Sequence, residues 1–475
     1  MTQPSFSLAR SDLFWRDDIL PTLIEYIRIP NRSPAFDSDW ERHGDMDRAI
    51  RLVRDWCRAH LPKQARLEIQ NLPGRTPLLY FEVPAHPSLK NLPPVFFYGH
   101  LDKQPEFEGW RPGLGAWTPV IENGRLYGRG GADDGYAVFA SIAALKLLAE
   151  EKHPLPRAIG LIECSEESGS IDLAAHLDAL ASHLIHPGLI VCLDAECGNY
   201  EQLWYTTSLR GNLIGELRVQ TLTEGVHSGA AGGIVPSTFQ IARALLERIE
   251  RAETGEIVIE NLTVPIPSER KHEITQAAKI LGDLTLKRFP WAGSTQPRFK
   301  NPEEALLANS WLPALEITGA DGLPSIQAGG NVLRPTTALK ISLRLPPTLP
   351  PQSALEALQN VFSAEAPYRA HVTFHAHSVM PGWNAPKFAP WLLDVLQQSS
   401  NTHFGHSALA MGTGGSIPFM QMLAERYPET QYFVTGVLGP GANAHGPNEF
   451  LDLKTVIRLT SCLGEILSAY ARTVS

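Results

Sequence analysis

Short apolar runs of strand length alternate with stretches of helical periodicity from the start of the chain to about Leu209. This alternation is typical of βα units that build a mostly parallel sheet. Four runs are the strongest strand candidates: Pro94 to Tyr98, Ala158 to Ile162, Leu189 to Leu193 and, much later, Gln431 to Val437. The pattern predicts an α/β domain with a mostly parallel sheet, formed by residues 1–208 and 384–475 together.

The intervening segment, residues 209–383, follows a different order: strand, helix, strand, strand, helix, strand. The predicted elements are Gly211 to Gln220, Pro236 to Glu250, Pro313 to Thr318, Thr337 to Leu345, Ser353 to Ala364 and Arg369 to Ser378. The third strand alternates cleanly and puts Lys340 and Arg344 on its polar face. This order predicts an inserted ferredoxin-like α+β domain, in which Arg251 to Trp311 is a long insertion with short helices of its own.

Composition and charge narrow the class of protein. The chain has 475 residues, 43% of them hydrophobic, which is enough for two domains with a core each. A formal net charge of -9 without basic tracts argues against binding to nucleic acid or to an anionic membrane surface. No apolar run reaches the length of a membrane helix, and the five cysteines form no disulfide or zinc-ribbon pattern. We expect a cytoplasmic protein that acts on a small molecule.

Each of the four predicted strands is followed by polar side chains. His100 and Asp102 follow the first strand, Glu166 and Glu167 the second, Asp194 the third and His445 the fourth. Ligands of open α/β sheets bind at the carboxyl ends of the strands. The four clusters therefore predict one crevice.

Taken singly, these motifs have ordinary explanations. An adjacent glutamate pair is usually solvated surface, and Asp133 with Asp134 would serve as a simple helix cap before the apolar segment Gly135 to Ala149. A ligating imidazole commonly needs a partner to fix its tautomer, and Asp102 is a candidate for that role toward His100.

Taken together, the residues suit two divalent ions. The set contains two imidazoles and three carboxylates: His100, Asp133, Glu167, Asp194 and His445. Such donors suit ions such as Zn²⁺ that share one carboxylate and hold a water between them. Glu166 is then free to act as general base toward that water and as general acid toward the leaving amine.

Six motifs occur along the chain in the order found in one enzyme family. They are Tyr-Gly-His-Leu-Asp-Lys-Gln-Pro (98–105), Gly-Arg-Gly-Gly-Ala-Asp-Asp (128–134), Glu-Glu-Ser-Gly-Ser (166–170), Val-His-Ser-Gly (226–229), Gly-Gly-Ser-Ile-Pro (414–418) and Ala-His-Gly-Pro-Asn-Glu (444–449). From Leu23 to its carboxyl end the chain resembles the dinuclear zinc metallopeptidases, which include aminoacylases, carboxypeptidase G and carnosinase-like dipeptidases. It is most similar to the carnosinase-like branch.

The resemblance implies a role for each metal-site residue. Asp133 would bridge the two ions, with His100 and Asp194 completing one site and Glu167 and His445 the other. Glu166 matches the general base of the family. The resemblance also implies a cis peptide bond between Asp133 and Asp134.

The resemblance also assigns roles to the inserted domain, which matches the lid domain of the family. His227 matches a histidine that crosses to the active site of the partner subunit and stabilises the oxyanion, which implies a homodimer formed through the lid. Arg344 would bind a substrate carboxylate. Asn331 and Ser416 are further candidates for contact with the substrate.

Two short segments depart from the family pattern. Gly135 and Tyr136 stand where relatives carry lysine and glycine, and Gly412 with Thr413 replaces an Arg-Glu pair. We predict a hydrolase of dipeptides or short peptides that uses two divalent ions, Zn²⁺ first and Mn²⁺ or Co²⁺ as alternatives. The other hypotheses are an N-acyl amino acid deacylase with the same metals and a binding protein without turnover.

Overall fold

The computed structural model describes residues 6–474 and contains a central six-stranded sheet. In spatial order its strands are Arg66–Gln70, Leu78–Val83, Ala158–Glu163, Val95–His100, Leu189–Cys192 and Gln431–Val434. The last four are mutually parallel, and the first two are attached in antiparallel pairs. The predicted mostly parallel sheet is confirmed, and its four parallel strands are the four that the sequence singled out.

Helices cover both faces of this sheet. The longer ones are Leu8–Phe14, Leu20–Ile27, Asp45–His60, Tyr136–Glu150, Leu173–Ala179, Pro390–His403, Pro418–Arg426 and Leu453–Ala471. Tyr136–Glu150 is apolar around nearly its whole circumference, and it is buried between the sheet and other helices. Because this helix begins two residues after Asp134, its packing holds Asp133 and Asp134 at the edge of the sheet.

A second sheet belongs to the inserted segment. Its strands are antiparallel and lie in the order Ala314–Asp321, Thr336–Leu345, Gly211–Gln220 and His371–Met380. Helices Thr238–Leu246 and Pro351–Ser363 pack on one face and enclose a separate apolar core. This is the predicted ferredoxin-like arrangement, which we call the lid. The exact domain limits at residues 208/209 and 383/384 stay a prediction.

The insertion within the lid forms three α-helices, Ser268–Leu281, Leu284–Lys287 and Pro302–Trp311. Its first helix packs against strand Leu409–Thr413 outside the lid. Arg270 donates hydrogen bonds from this helix to the side chain of Asn384 and the backbone carbonyl of Ala385. The insertion therefore connects the lid to the rest of the molecule.

Three small sheets complete the structure. Trp204–Leu209 pairs with Trp383–Asn384 and Leu409–Thr413; Arg125–Tyr127 pairs with Val120–Glu122 and Phe450–Asp452; and Val226–His227 pairs with Val332–Leu333. All five cysteines are buried and free. Among residues 6–474, the helices are too short or too polar to cross a bilayer.

Candidate metal centre

Five side chains converge at the carboxyl edge of the central sheet. His100 ends one strand, Glu167 and Asp194 follow two others, and Asp133 and His445 lie on the loops beside them. They form two groups of three that share Asp133: His100, Asp133 and Asp194, and Asp133, Glu167 and His445. Within each group the ligand atoms all lie within 4.8 Å of one another. The structure thus brings together all five residues that the sequence proposed as ligands.

Asp133 stands between the two groups and presents one oxygen to each. Its Oδ1 lies 3.3 Å from His100 Nε2, and its Oδ2 lies 3.1 Å from His445 Nε2. Asp194 Oδ2 is 3.7 Å from the first imidazole, and Glu167 Oε2 is 3.2 Å from the second. This is the arrangement that a carboxylate bridging two cations requires.

The hydrogen bonding of the His100 imidazole indicates whether these residues suit a metal ion. Its Nδ1 donates a hydrogen bond to the backbone carbonyl of Asp102 at 3.1 Å, which leaves Nε2 as the free nitrogen. That Nε2 is buried without a hydrogen-bond partner, and it faces the carboxylates of Asp133 and Asp194. A buried polar atom of this kind normally has a partner, and a cation would supply it. The residues fit a pair of divalent cations.

Asp102 orients both His100 and the glutamate pair, whereas the sequence suggested only its role toward His100. The hydrogen bond that sets the His100 tautomer is made by the main-chain carbonyl of Asp102, while its carboxylate Oδ1 is 3.5 Å from Nδ1. The carboxylate instead accepts hydrogen bonds from the backbone N–H groups of Glu166 and Glu167, at 3.1 and 3.0 Å. Asp102 therefore holds the strand end of His100 and the glutamate pair in one position.

The loop that carries Asp133 is shaped by close packing. The peptide bond between Asp133 and Asp134 is cis, as the family resemblance implied. Asp134 turns inward, and its Oδ2 accepts a hydrogen bond from the backbone N–H of His100. A Cβ at Gly99 would lie only 2.8 Å from that Oδ2, so glycine is needed where the loop meets the strand.

The electrostatics of the cluster also favour cations. Burial alone would raise the pKa of Asp133, but the imidazoles of His100 and His445 hold it below the ordinary value. Burial raises the pKa of Asp194 well above its ordinary value, and the carboxylate of Asp134 adds to the rise. Buried carboxylates with too little positive charge around them are stabilised by divalent ions.

Glu166 lies beside the ligands without belonging to either group. Its Oε2 is 4.0 Å from His100 Nε2, and the side chain lines the cavity. Burial raises its pKa well above the ordinary value of a glutamic acid; His100 opposes the rise and Asp194 adds to it. A carboxylate with a raised pKa next to a metal pair is suited to proton transfer.

Sequence reasoning missed several residues that position the ligands. Arg129 and Glu449 form a buried ion pair of 2.6 Å, and Glu449 also accepts hydrogen bonds from the backbone N–H groups of Gly130 and Ala132. Gln104 donates a hydrogen bond to Glu167 Oε2 at 2.6 Å. All three residues lie inside the quoted motifs, which could have identified them as candidates. Their hydrogen-bond partners, however, are distant in sequence.

A cavity of about 640 Å³ opens over the ligands between the lid and the central sheet. Arg344 and Ser416 line it, as proposed for substrate contacts. Arg344 Nη1 donates to Ser416 Oγ at 3.1 Å, and that hydroxyl donates to the backbone carbonyl of Arg210 at 2.5 Å. The guanidinium of Arg344 is thereby fixed at the junction of the lid with the rest of the chain.

His227 and Asn331 do not join this cavity. Both are exposed and lie outside the set of described residues that line it. His227 forms the end of the short strand Val226–His227, and its Nδ1 accepts a hydrogen bond from the backbone N–H of Gly229. Within one chain these two residues are therefore separated from the metal centre.

Known proteins with related sequences include dipeptidases. The chain is 26% identical to the cysteinylglycine-S-conjugate dipeptidase of Corynebacterium striatum over 392 residues, which cover 80% of this chain and 82% of that protein. It is 28% identical to the β-Ala-His dipeptidase of Mus musculus over 358 residues, covering 73% and 70%.

Solved structures show the same fold. The di-peptidase Dug1p of Saccharomyces cerevisiae superposes with a TM-score of 0.79 at 19% identity, covering 99% of this chain and all of that chain. Human carnosine dipeptidase 1 gives a TM-score of 0.77 at 21% identity, covering 98% and 100%. The sequence model of Peptidase family M20/M25/M40 matches residues 96–469, which include all five converging side chains. The chain therefore belongs to this metallopeptidase family.

Proposed function

We propose that this protein hydrolyses the peptide bond of dipeptides and other short peptides with the help of two divalent ions. Zn²⁺ is the first candidate for these ions. The observation that carries the proposal is the position of Asp133, which shares its two oxygens between two groups of ligands next to Glu166. Two imidazoles with three carboxylates form a donor set that suits Zn²⁺, and Mn²⁺ or Co²⁺ are alternatives. The dipeptidase names of the relatives support the substrate class.

Different residues of the cavity have different roles in hydrolysis. When bound, the two ions supply Lewis acidity, which polarises the scissile carbonyl and lowers the pKa of a water molecule. Glu166 takes a proton from the attacking water and returns it to the leaving amine. Arg344, held by Ser416, binds a carboxylate of the substrate and so sets the distance between that end and the scissile bond.

We further propose that the active protein is a homodimer in which His227 of one subunit completes the site of the other. In a single chain His227 is exposed and outside the cavity. The segments around it carry exposed apolar side chains: Ile234, Phe239, Leu323, Ile326 and Val332. Exposed apolar side chains of this number favour a contact with a second copy, which would also bring Asn331 near a substrate.

A substrate panel tests the peptidase proposal. Protein reloaded with Zn²⁺, Mn²⁺ or Co²⁺ is incubated with unmodified dipeptides and with N-acetyl forms of single amino acids, and free amine is measured. Hydrolysis of dipeptides at higher kcat/KM supports the proposal. Preference for the N-acetyl amino acids would make the protein a deacylase, and binding without turnover of either class would reject catalysis.

A further inference from the structure

Arg288 enters the cavity from the helical insertion of the lid. It directly follows the helix Leu284–Lys287, and it lines the same cavity as Glu166, Asp194 and Arg344. The insertion packs on the central part of the molecule through the helix Ser268–Leu281. This packing holds the segment that carries Arg288 next to the cavity. A cation is thus presented to the substrate space by a segment that contributes nothing to the metal ligands.

Within the protein, Arg288 pairs with Glu196. Arg288 Nη2 is 3.1 Å from Glu196 Oε2, and the two side chains are 21% and 32% exposed. The backbone of Glu196 is held by a bridge to Leu438 and lies two residues after the ligand Asp194. Because this pair is partly exposed, replacing one carboxylate partner of Arg288 by another requires little free energy.

The charge of the cavity leaves room for a second anion. Apart from the metal ligands and Glu166, its described charged residues are three cations, Arg288, Lys340 and Arg344, and one anion, Glu196. A single substrate carboxylate at Arg344 would leave the remaining groups with an excess positive charge. A second carboxylate on the substrate would reduce this excess, which the α-ammonium group of a dipeptide does not relieve.

The neighbouring Arg210 strengthens this field. It is buried behind the cavity, where Nε donates to the carbonyl of Gly414 and Nη1 to that of Leu312. In the described part of the chain, neither Arg210 nor Arg344 has a carboxylate within ion-pair distance, since Arg344 donates to the hydroxyl of Ser416. Two guanidinium groups with neutral partners attract anions into this corner.

We propose that Arg288 is a specificity-determining residue that binds a second carboxylate of the substrate, so that the preferred substrates are dipeptides with an acidic side chain. The inference rests on the peptidase function proposed above. Substrate binding replaces Glu196 by the acidic side chain as the partner of Arg288, while Arg344 keeps the other carboxylate. Glu196 therefore competes with the substrate for Arg288.

Two substitutions with opposite expected effects test this role. The measured quantity is the ratio of kcat/KM for the better of Ala-Glu and Glu-Ala to kcat/KM for Ala-Ala. We expect a ratio above one for the natural protein. Arg288→Met removes the charge and should lower the ratio by about 10–100-fold, mainly through KM, because a charge-assisted hydrogen bond is lost. Glu196→Gln removes the competitor and should raise it.

Arg298→Met is the matched control, because it removes an arginine of the same insertion that lies away from the cavity and donates to the carbonyl of Gly255. Metal content is measured for each variant to verify that Asp194 still binds. Equal hydrolysis of acidic and neutral dipeptides, or a ratio unchanged in both variants, overturns the inference while leaving the peptidase function intact. Absence of dipeptide hydrolysis in the metal-loaded natural protein overturns the proposed function itself.

Discussion

Glu449 accepts a hydrogen bond from Arg129 Nη1 at 2.6 Å, and both side chains are almost completely buried. Arg129 also donates to the backbone carbonyl of Gly446, and Glu449 accepts from the backbone N–H of Gly130. The pair therefore ties the loop of Asp133 to the loop of His445, although these two ligands lie far apart in sequence. It fixes the distance between the two halves of the metal centre.

Breaking this pair should destabilise the protein strongly. Arg129→Met leaves the carboxylate of Glu449 buried without its cation, for which we expect a loss of about 3–5 kcal/mol in the free energy of unfolding. Urea denaturation followed by fluorescence measures it. Arg42→Met, which removes an exposed partner of Asp39, serves as control and should change little. Equal stability of the two variants would contradict a structural role for the buried pair.

Metal stoichiometry should distinguish the shared ligand from the others. Asp133→Ala removes the carboxylate that faces both groups, so we expect loss of both ions and of all hydrolysis. His445→Ala affects one group only, and one ion should remain. Mass spectrometric metal analysis of gel-filtered protein gives the counts, with Asp283→Ala, an exposed aspartate paired with Lys287, as control. Two retained ions in Asp133→Ala would exclude the bridging role.

Glu166→Gln should separate catalysis from metal binding. The amide keeps the shape of the side chain but takes no proton, so kcat should fall about 10²–10⁴-fold. Both ions should stay bound, because Glu166 belongs to neither ligand group. Steady-state kinetics and metal analysis on the same sample check the two statements together. A variant that loses an ion would make Glu166 a ligand.

His227 should act across a dimer interface. His227→Ala should lower turnover severely without loss of metal, because a donor to the developing oxyanion is removed. Mixing it with the Glu166→Gln variant should restore activity, since each mixed dimer contains one site with both side chains intact. With random exchange, about a quarter of the natural activity is expected.

Subunit exchange must be verified in that experiment by mass-tagged protomers. If exchange occurs and activity stays at the level of the separate variants, His227 does not act in trans. A protein that sediments as a monomer at the assay concentration while fully active would contradict the dimer in the same way. Mixing two differently tagged His227→Ala preparations gives the background value.

The sequence predicted elements well where periodicity and burial agree. Gly211–Gln220 was predicted with both ends correct, and the polar face of Thr336–Leu345 carries Lys340 and Arg344 as expected. Ends were less accurate where the chain leaves a sheet without a change in hydrophobicity. Gln431–Val434 ends three residues before the apolar run does, and beyond it Gly436 lies so close to the backbone of Ala195 that there is no room for a side chain.

By itself, the sequence determined the type of sheet and the inserted lid. It also predicted that five candidate ligands converge, because hydrophobic runs locate parallel strands, parallel strands share one carboxyl edge, and the family resemblance adds Asp133. Only the tertiary structure decided which groups orient those ligands: the Asp102 carboxylate on two backbone amides, and the Arg129–Glu449 pair between two loops. It also decided that Arg288 reaches the cavity while His227 does not. These contacts join residues that are distant along the chain, and their energies depend on burial and distance, which local sequence patterns do not encode.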